Sequence, residues 1–139
     1  MAGGMKKNRR GATILEMAIV LPLLLILVFG VIEYSWMFLK AGQISNAARE
    51  GARYAILLDI TSLEQVTTSP SPLVASLNNA DISMDKVTVS SPTGVNVSVG
   101  QPVTIEILAD YSQLKLIGFP LLPTPGTLRS SVTMLKEGY

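Results

Sequence analysis

A glycine at position 11, an alanine at 12 and a glutamate at 16 are the residues of this chain whose types and spacing suggest chemistry. Glu16 is the sole charge in the 21 residues from Ala12 to Ile32. A carboxylate inside an apolar helix costs roughly 2.5–3.5 kcal/mol at a bilayer centre and less near the interface. Its position has a use if the chain is cut between Gly11 and Ala12. Cutting creates an α-amino group at Ala12, about one helical turn from Glu16. In a helical stack of subunits, the Glu16 of one subunit neutralises the amine of the next, and two charges that are costly alone become tolerable together. The plainer account of Glu16 is a carboxylate that snorkels to the near interface or pairs with Arg9 or Arg10.

Other chemistry is excluded by composition. There is no Cys and no His, so thiolate chemistry, disulfide staples and a Ser/His/Asp triad are all impossible. No Gly-rich phosphate loop or nucleophile elbow occurs. Asp81 and Asp85, with Asn78 and Asn79, lack the alternating ligands and the glycine of a calcium loop, and read as polar turn residues. Asn96-Val97-Ser98 is a formal glycosylation sequon inside an expected strand. The chain reads as a non-enzyme with no cofactor and no metal. Four of its 11 basic residues, Lys6, Lys7, Arg9 and Arg10, lie before Gly11, and the rest of the chain holds seven against 10 acidic groups. The positive charge is therefore a head and not a patch, which disfavours nucleic acid as a partner.

The element that must position Gly11 and Glu16 is a long helix. Ala12 to Ile32 spans about 30 Å at the helical rise, the thickness of a bilayer core. The basic residues before it and Glu33, Tyr34 and Trp36 after it place the N-terminus inside and the remainder outside. No small-residue cleavage site follows the apolar run, so an ordinary secretory signal does not fit. The helical pattern continues to about Leu58. Pro22 removes one backbone hydrogen bond and Gly30 is a second soft point. Ala41, Ser45, Ala48, Ala52 and Ala55 recur in steps of four and three, a narrow seam of small side chains. Such a seam serves stem-to-stem packing or packing of the head on its own stem. Lys40, Gln43, Asn46, Glu50 and Arg53 occupy another, solvated face, with Glu50 and Arg53 spaced to pair.

Beyond the stem, residues 59–85 read as a linker with one helical turn near Ser62–Val66 and a short helix from Pro72, capped by Ser71. Residues 86–139 read as a β-rich head of about four strands. Lys86–Ser90 and Val95–Val99 alternate around Ser91-Pro92-Thr93-Gly94 as a hairpin, Val103–Tyr111 is the strongest strand, and Thr127–Leu135 is the last. The apolar stretch Leu116–Leu122 is either core under a loop or an exposed contact patch.

The run Lys6-Lys7-Asn8-Arg9-Arg10-Gly11, followed by Ala12-Thr13-Ile14-Leu15-Glu16-Met17-Ala18-Ile19-Val20-Leu21-Pro22, resembles the class III signal of the type IV pilin superfamily. With Gly30 and Ala47-Ala48-Arg49-Glu50-Gly51-Ala52-Arg53-Tyr54-Ala55, it is more similar to the TadE-like minor pilins (pseudopilins) of tight-adherence systems. The resemblance covers residues 6–55. It implies a pilin-like α+β fold: a transmembrane α-helical stem carrying a small C-terminal antiparallel sheet. It implies a basic leader, residues 1–11, that a prepilin peptidase removes after Gly11, and a role for Glu16 in processing or subunit alignment. It implies a stem over residues 12–58 whose breakers Pro22 and Gly30 let the helix loosen as subunits pack. The implied partners are the peptidase, other pilin subunits, the tight-adherence machinery of the inner membrane and the lipid bilayer. The implied location is a single pass of the cytoplasmic membrane and, after assembly, a pilus. A reading from a different class is a permanently anchored protein whose head binds a partner or scaffolds a secretion complex.

Overall fold

The computed structural model describes residues 9–57, 59–118 and 122–138, with side chains from residue 11 onward. Residues 1–8 of the leader expected at 1–11, Leu58 and the middle of the apolar stretch at 119–121 lie outside the described residues.

One helix, α1, runs from Arg9 to Ala55 without interruption at Pro22 or Gly30. It starts before Gly11, so residues 9–11 of the expected leader are helical. It ends at Ala55 rather than near Leu58. Two short helices follow. In α2 (Leu63–Thr67) the Gln65 side chain reaches back to accept from the Ser62 N–H at 3.0 Å. In α3 (Pro72–Asn79) the Ser71 hydroxyl accepts from the Val74 N–H, and proline occupies the first turn, where its missing donor costs nothing.

The head is a three-stranded antiparallel sheet in the order β1 (Val87–Ser90), β2 (Pro102–Asp110), β3 (Thr127–Leu135). Val87 faces Ala109 and Ser90 faces Glu106, while Pro102 faces Leu135 and Asp110 faces Thr127. The expected hairpin between residues 86–90 and 95–99 does not form: β1 pairs with β2, and 95–99 is part of the connection between them. The reason is local. The Val97 N–H is taken by the Val95 carbonyl at 3.1 Å, Gly94 and Gly100 adopt positive φ, and the Thr93 hydroxyl accepts from the Thr104 N–H at 2.7 Å. Val95 alternates like a strand residue because it plugs the core, 3% exposed, and not because it joins a ladder.

The core lies where the second half of α1 meets the sheet and α3. Val103, Ile105, Ile107 and Ala109 alternate along the inner face of β2 and are buried. They oppose a flat helix face made of Ile44, Ala47, Ala48, Gly51, Ala52 and Ala55. Small residues there bring the helix axis close to its neighbours. Leu73 of α3 seats directly over Gly51: a Cβ there would fall 2.5 Å from Leu73 Cδ1. Each buried leucine or isoleucine contributes about 1.5–3 kcal/mol, and Leu73 joins Val74 and Leu77 in fastening α3 to the core.

A paired substitution checks this. Gly51→Ala gains about 1 kcal/mol of helix propensity and incurs about 1–3 kcal/mol of overpacking against Leu73, so the melting temperature in detergent should fall. Gly42→Ala, where a Cβ meets nothing within 4 Å, should raise it. Equal stabilisation by both would show that Leu73 does not depend on Gly51.

Candidate assembly helix and its junction with the head

The first half of α1 touches almost nothing else in the molecule. Every residue from Gly11 to Leu25 is exposed, including Ile14 at 71% and Leu23 at 70%. Among the described residues one helix, Gly11–Ala55, is long and apolar enough by composition to cross a membrane. Apolar surface on that scale is unstable in water and needs lipid or other apolar helices around it. Glu16 stands in this exposed stretch, and among the described residues its carboxylate has no hydrogen-bond or ion-pair partner. The Arg9 and Arg10 side chains, the alternative partners, lie outside the described residues. Gly11 is exposed, and a Cβ on it would meet nothing within 4 Å, so packing within the chain does not demand glycine at this position. Pro22 lies in the same exposed stretch. Gly30 is buried by Leu122, whose Cδ2 would lie 3.4 Å from a Cβ at that position.

The helix changes character at Glu33. This side chain is 1% exposed, buried beneath the turn that follows β2. Its Oε1 accepts from the Tyr111 hydroxyl at 2.9 Å, and its Oε2 accepts from the backbone N–H groups of Ile117 at 3.0 Å and Gly118 at 3.4 Å. Burial alone raises the pKa of this carboxyl. The Ile117 N–H, the Tyr111 hydroxyl and the Gly118 N–H outweigh it and hold the group below its ordinary 4.5. Burial, and then the same hydrogen bond to Glu33, push the Tyr111 hydroxyl up to about 12. Glu33 is therefore an ionised carboxylate fixing a loop from far along the sequence.

Three further stem residues work beside it. The Tyr34 hydroxyl donates to the Pro123 carbonyl and the Trp36 indole to the Leu114 carbonyl, both at 2.7 Å. Lys40, 5% exposed, donates to the Ala80 carbonyl at 2.6 Å and lies 4.8 Å from the centre of the Trp36 ring. Glu33, Trp36 and Lys40 are three and four residues apart and so share one helix face. Lys40 thus leaves the solvated face on which the charge pattern placed it. At the far end, Lys136 donates to the carbonyls of Ala55, Leu57 and Ile60 at 3.2, 2.7 and 2.7 Å. A cation at the C-terminus of a helix meets the negative end of its dipole and its orphan carbonyls at once.

The small-residue seam divides. Ala48, Ala52 and Ala55 are fully buried, and Ala41 and Ser45 are partly buried. All of this burial is against the chain's own head and α3, the second of the two uses the spacing allowed. Ala47 and Gly51 belong to the same face, although the sequence seam omits them. Asn46, Arg49 and Arg53 remain exposed, and the expected Glu50–Arg53 pair is absent. Among the described residues the ion pair is instead Arg129–Glu106, 2.8 Å, across the outer face of the sheet. Glu33, Tyr111 and Lys136 escaped the sequence reading. Glu33 looks like an ordinary flanking charge, and its partners lie 78 to 85 residues away.

An apolar helix that emerges bare from a small antiparallel sheet defines a pilin-like α+β membrane subunit. Residues 11–53 match the family model of TadE-like proteins, from the exposed end of α1 to its last buried turn. No curated protein and no solved structure matches the chain.

The Glu33 site sets a pH dependence. Its folded pKa lies below the unfolded one, so its contribution is present above the ordinary carboxyl value and is lost as pH falls through the folded value. Tyr111 behaves oppositely: its raised pKa adds stability that is lost as pH rises from 10 to about 12. Glu33→Gln should cost about 1.5–3 kcal/mol at neutral pH, the worth of charged hydrogen bonds, and should flatten the acid limb of a plot of melting temperature against pH. An acid limb unchanged in the variant would show that other carboxylates set it.

Proposed function

We propose that this chain is a TadE-like pseudopilin, cut after Gly11 by a prepilin peptidase and assembled through its N-terminal helix in a tight-adherence pilus or secretion system. The observation that carries this reading is the uncovered half of α1. It exposes a continuous apolar surface holding one carboxylate, unpaired among the described residues, five positions from a glycine whose Cβ would meet nothing within 4 Å. The match of residues 11–53 to TadE-like proteins supports it.

In this reading the first half of α1 is inserted in the cytoplasmic membrane, with the basic leader inside and the head outside. Cleavage frees the Ala12 amine. On assembly, Glu16 of one subunit accepts hydrogen bonds from the Ala12 ammonium of its neighbour, and each buried charge then has a partner. The head travels with the stem as one unit, because Glu33, Lys40 and Lys136 bind it to the second half of the same helix.

The test is the intact mass of the membrane-extracted protein made with and without a cognate prepilin peptidase, followed by membrane insertion and filament incorporation of Glu16→Gln. Peptidase-dependent loss of the first 11 residues is the expected result, with Glu16→Gln still inserting but failing to enter filaments. An unchanged N-terminus despite an active peptidase would leave a permanently anchored scaffold. Normal incorporation of Glu16→Gln would remove the pairing role.

A further inference from the structure

The apolar side chains after β2, Leu116 and Ile117, remain exposed although the backbone around them is tied to the stem. The described parts of this stretch, residues 114–118 and 122–123, wrap the stem between Gly30 and Trp36. Leu122 lies against Gly30, Ile117 and Gly118 bind Glu33, the Pro123 carbonyl binds Tyr34, and the Leu114 carbonyl binds Trp36. From Gly30 to Trp36 the helix rises about 9 Å. A span ending at Ile32 puts this interval across the boundary between hydrocarbon and headgroups, a zone of roughly 5–8 Å on each side. Leu122 then sits level with the last turn of the span, about 3 Å inside its end.

Two features of the loop fit that depth. Leu116 and Ile117 are 50% and 45% exposed although both are large and apolar. And four backbone groups of the loop, the N–H groups of Ile117 and Gly118 and the carbonyls of Leu114 and Pro123, are satisfied by side chains of the stem. A surface loop in water needs no such provision. Irregular backbone at the edge of the hydrocarbon gains from it, because less water reaches that depth to supply the bonds. The donors include a tyrosine and a tryptophan, the rings that favour the interface, and the exposed Lys115 can extend its ammonium toward lipid phosphate.

We propose that residues 115–118 and 122–123, tied down on one side by the core residue Leu114, form a collar lying in the headgroup region of the leaflet on the head side, a second membrane contact of the protein beside its stem. The collar is continuous with the apolar surface of the span through Leu122 and the groove formed with Leu23, Ile26, Leu27 and Val31. It fixes the depth and tilt of the head, which a single helix leaves free to slide. This inference rests on the spanning stem of the proposed function.

The chain contains no cysteine, so single cysteines carrying an environment-sensitive fluorophore can be placed at will. The full chain, as Leu116→Cys, Leu24→Cys or Asp59→Cys, is reconstituted in phosphatidylcholine–phosphatidylglycerol vesicles containing nitroxide lipids labelled at the headgroup or deep in the acyl chain. The expected result is several-fold stronger quenching at Leu116 than at Asp59 by the headgroup nitroxide, with Leu24 quenched by the deep one. Quenching at Leu24 with Leu116 as unaffected as Asp59 would overturn the collar and leave the span standing. Absence of quenching at both Leu24 and Leu116 would overturn the span and the collar together. Shielding of the Leu116 label that grows with protein density would assign the patch to a second copy of the chain, and also overturns the collar.

Discussion

The constraint on which the rest of this molecule depends is that one helix must satisfy two surroundings. Its first half presents apolar side chains that only lipid or other apolar helices can cover, and its second half is the backbone of a folded head. The change falls at Glu33. A carboxylate at that place must be solvated, paired or bonded, because an unsatisfied charge there would cost several kcal/mol. Here it is bonded by one hydroxyl and two amides brought from the far end of the chain. Those bonds hold the loop after β2, the loop holds β2 in place, and β2 supplies the inner face of the core.

From that point outward the stem serves its own head. The flat face of alanines and Gly51 brings α3 and the sheet close, Lys40 anchors the turn after α3, and Lys136 closes the helix by capping its last carbonyls. Among the described residues both lysines are buried against carbonyl oxygens with no carboxylate as hydrogen-bond partner, so peptide dipoles solvate the charge in place of water. The division leaves the first half of the helix as the surface free to meet lipid and, in the proposed pseudopilin, the helices of neighbouring subunits. The small-residue seam is occupied within the chain.

The parts legible in the sequence are those governed by local pattern. The long apolar run, the Pro72 helix with its Ser71 cap, the alternation of Val103–Ala109 and the last strand all follow from periods of 3.6 and 2 and from capping chemistry. What escaped is set by contacts distant along the chain. Val95–Val99 alternates as a strand would, yet β1 pairs with the longer and more apolar β2. Lys40 sits in a polar stripe and is nonetheless buried, since the Ala80 carbonyl and the Trp36 ring provide for it. Glu33 was read as a topological marker, and nothing nearby reveals that Tyr111 and Ile117 fold back onto it. At the candidate site, Gly11 and Glu16 stood out because a lone charge and a glycine at a fixed spacing are local signals.

The measurement that tests this division most directly is amide hydrogen exchange of the monomeric full-length protein in detergent, compared with the assembled form. If the second half of the stem is fastened to its own head, the amides of residues 41–55 exchange slowly in the monomer and assembly changes them little, while the larger change on assembly falls in residues 12–32. Rapid exchange at residues 41–55 in the monomer, slowed only on assembly, would contradict the account: the seam would then belong to neighbouring subunits, and the head would be held in place by the filament and not by the stem.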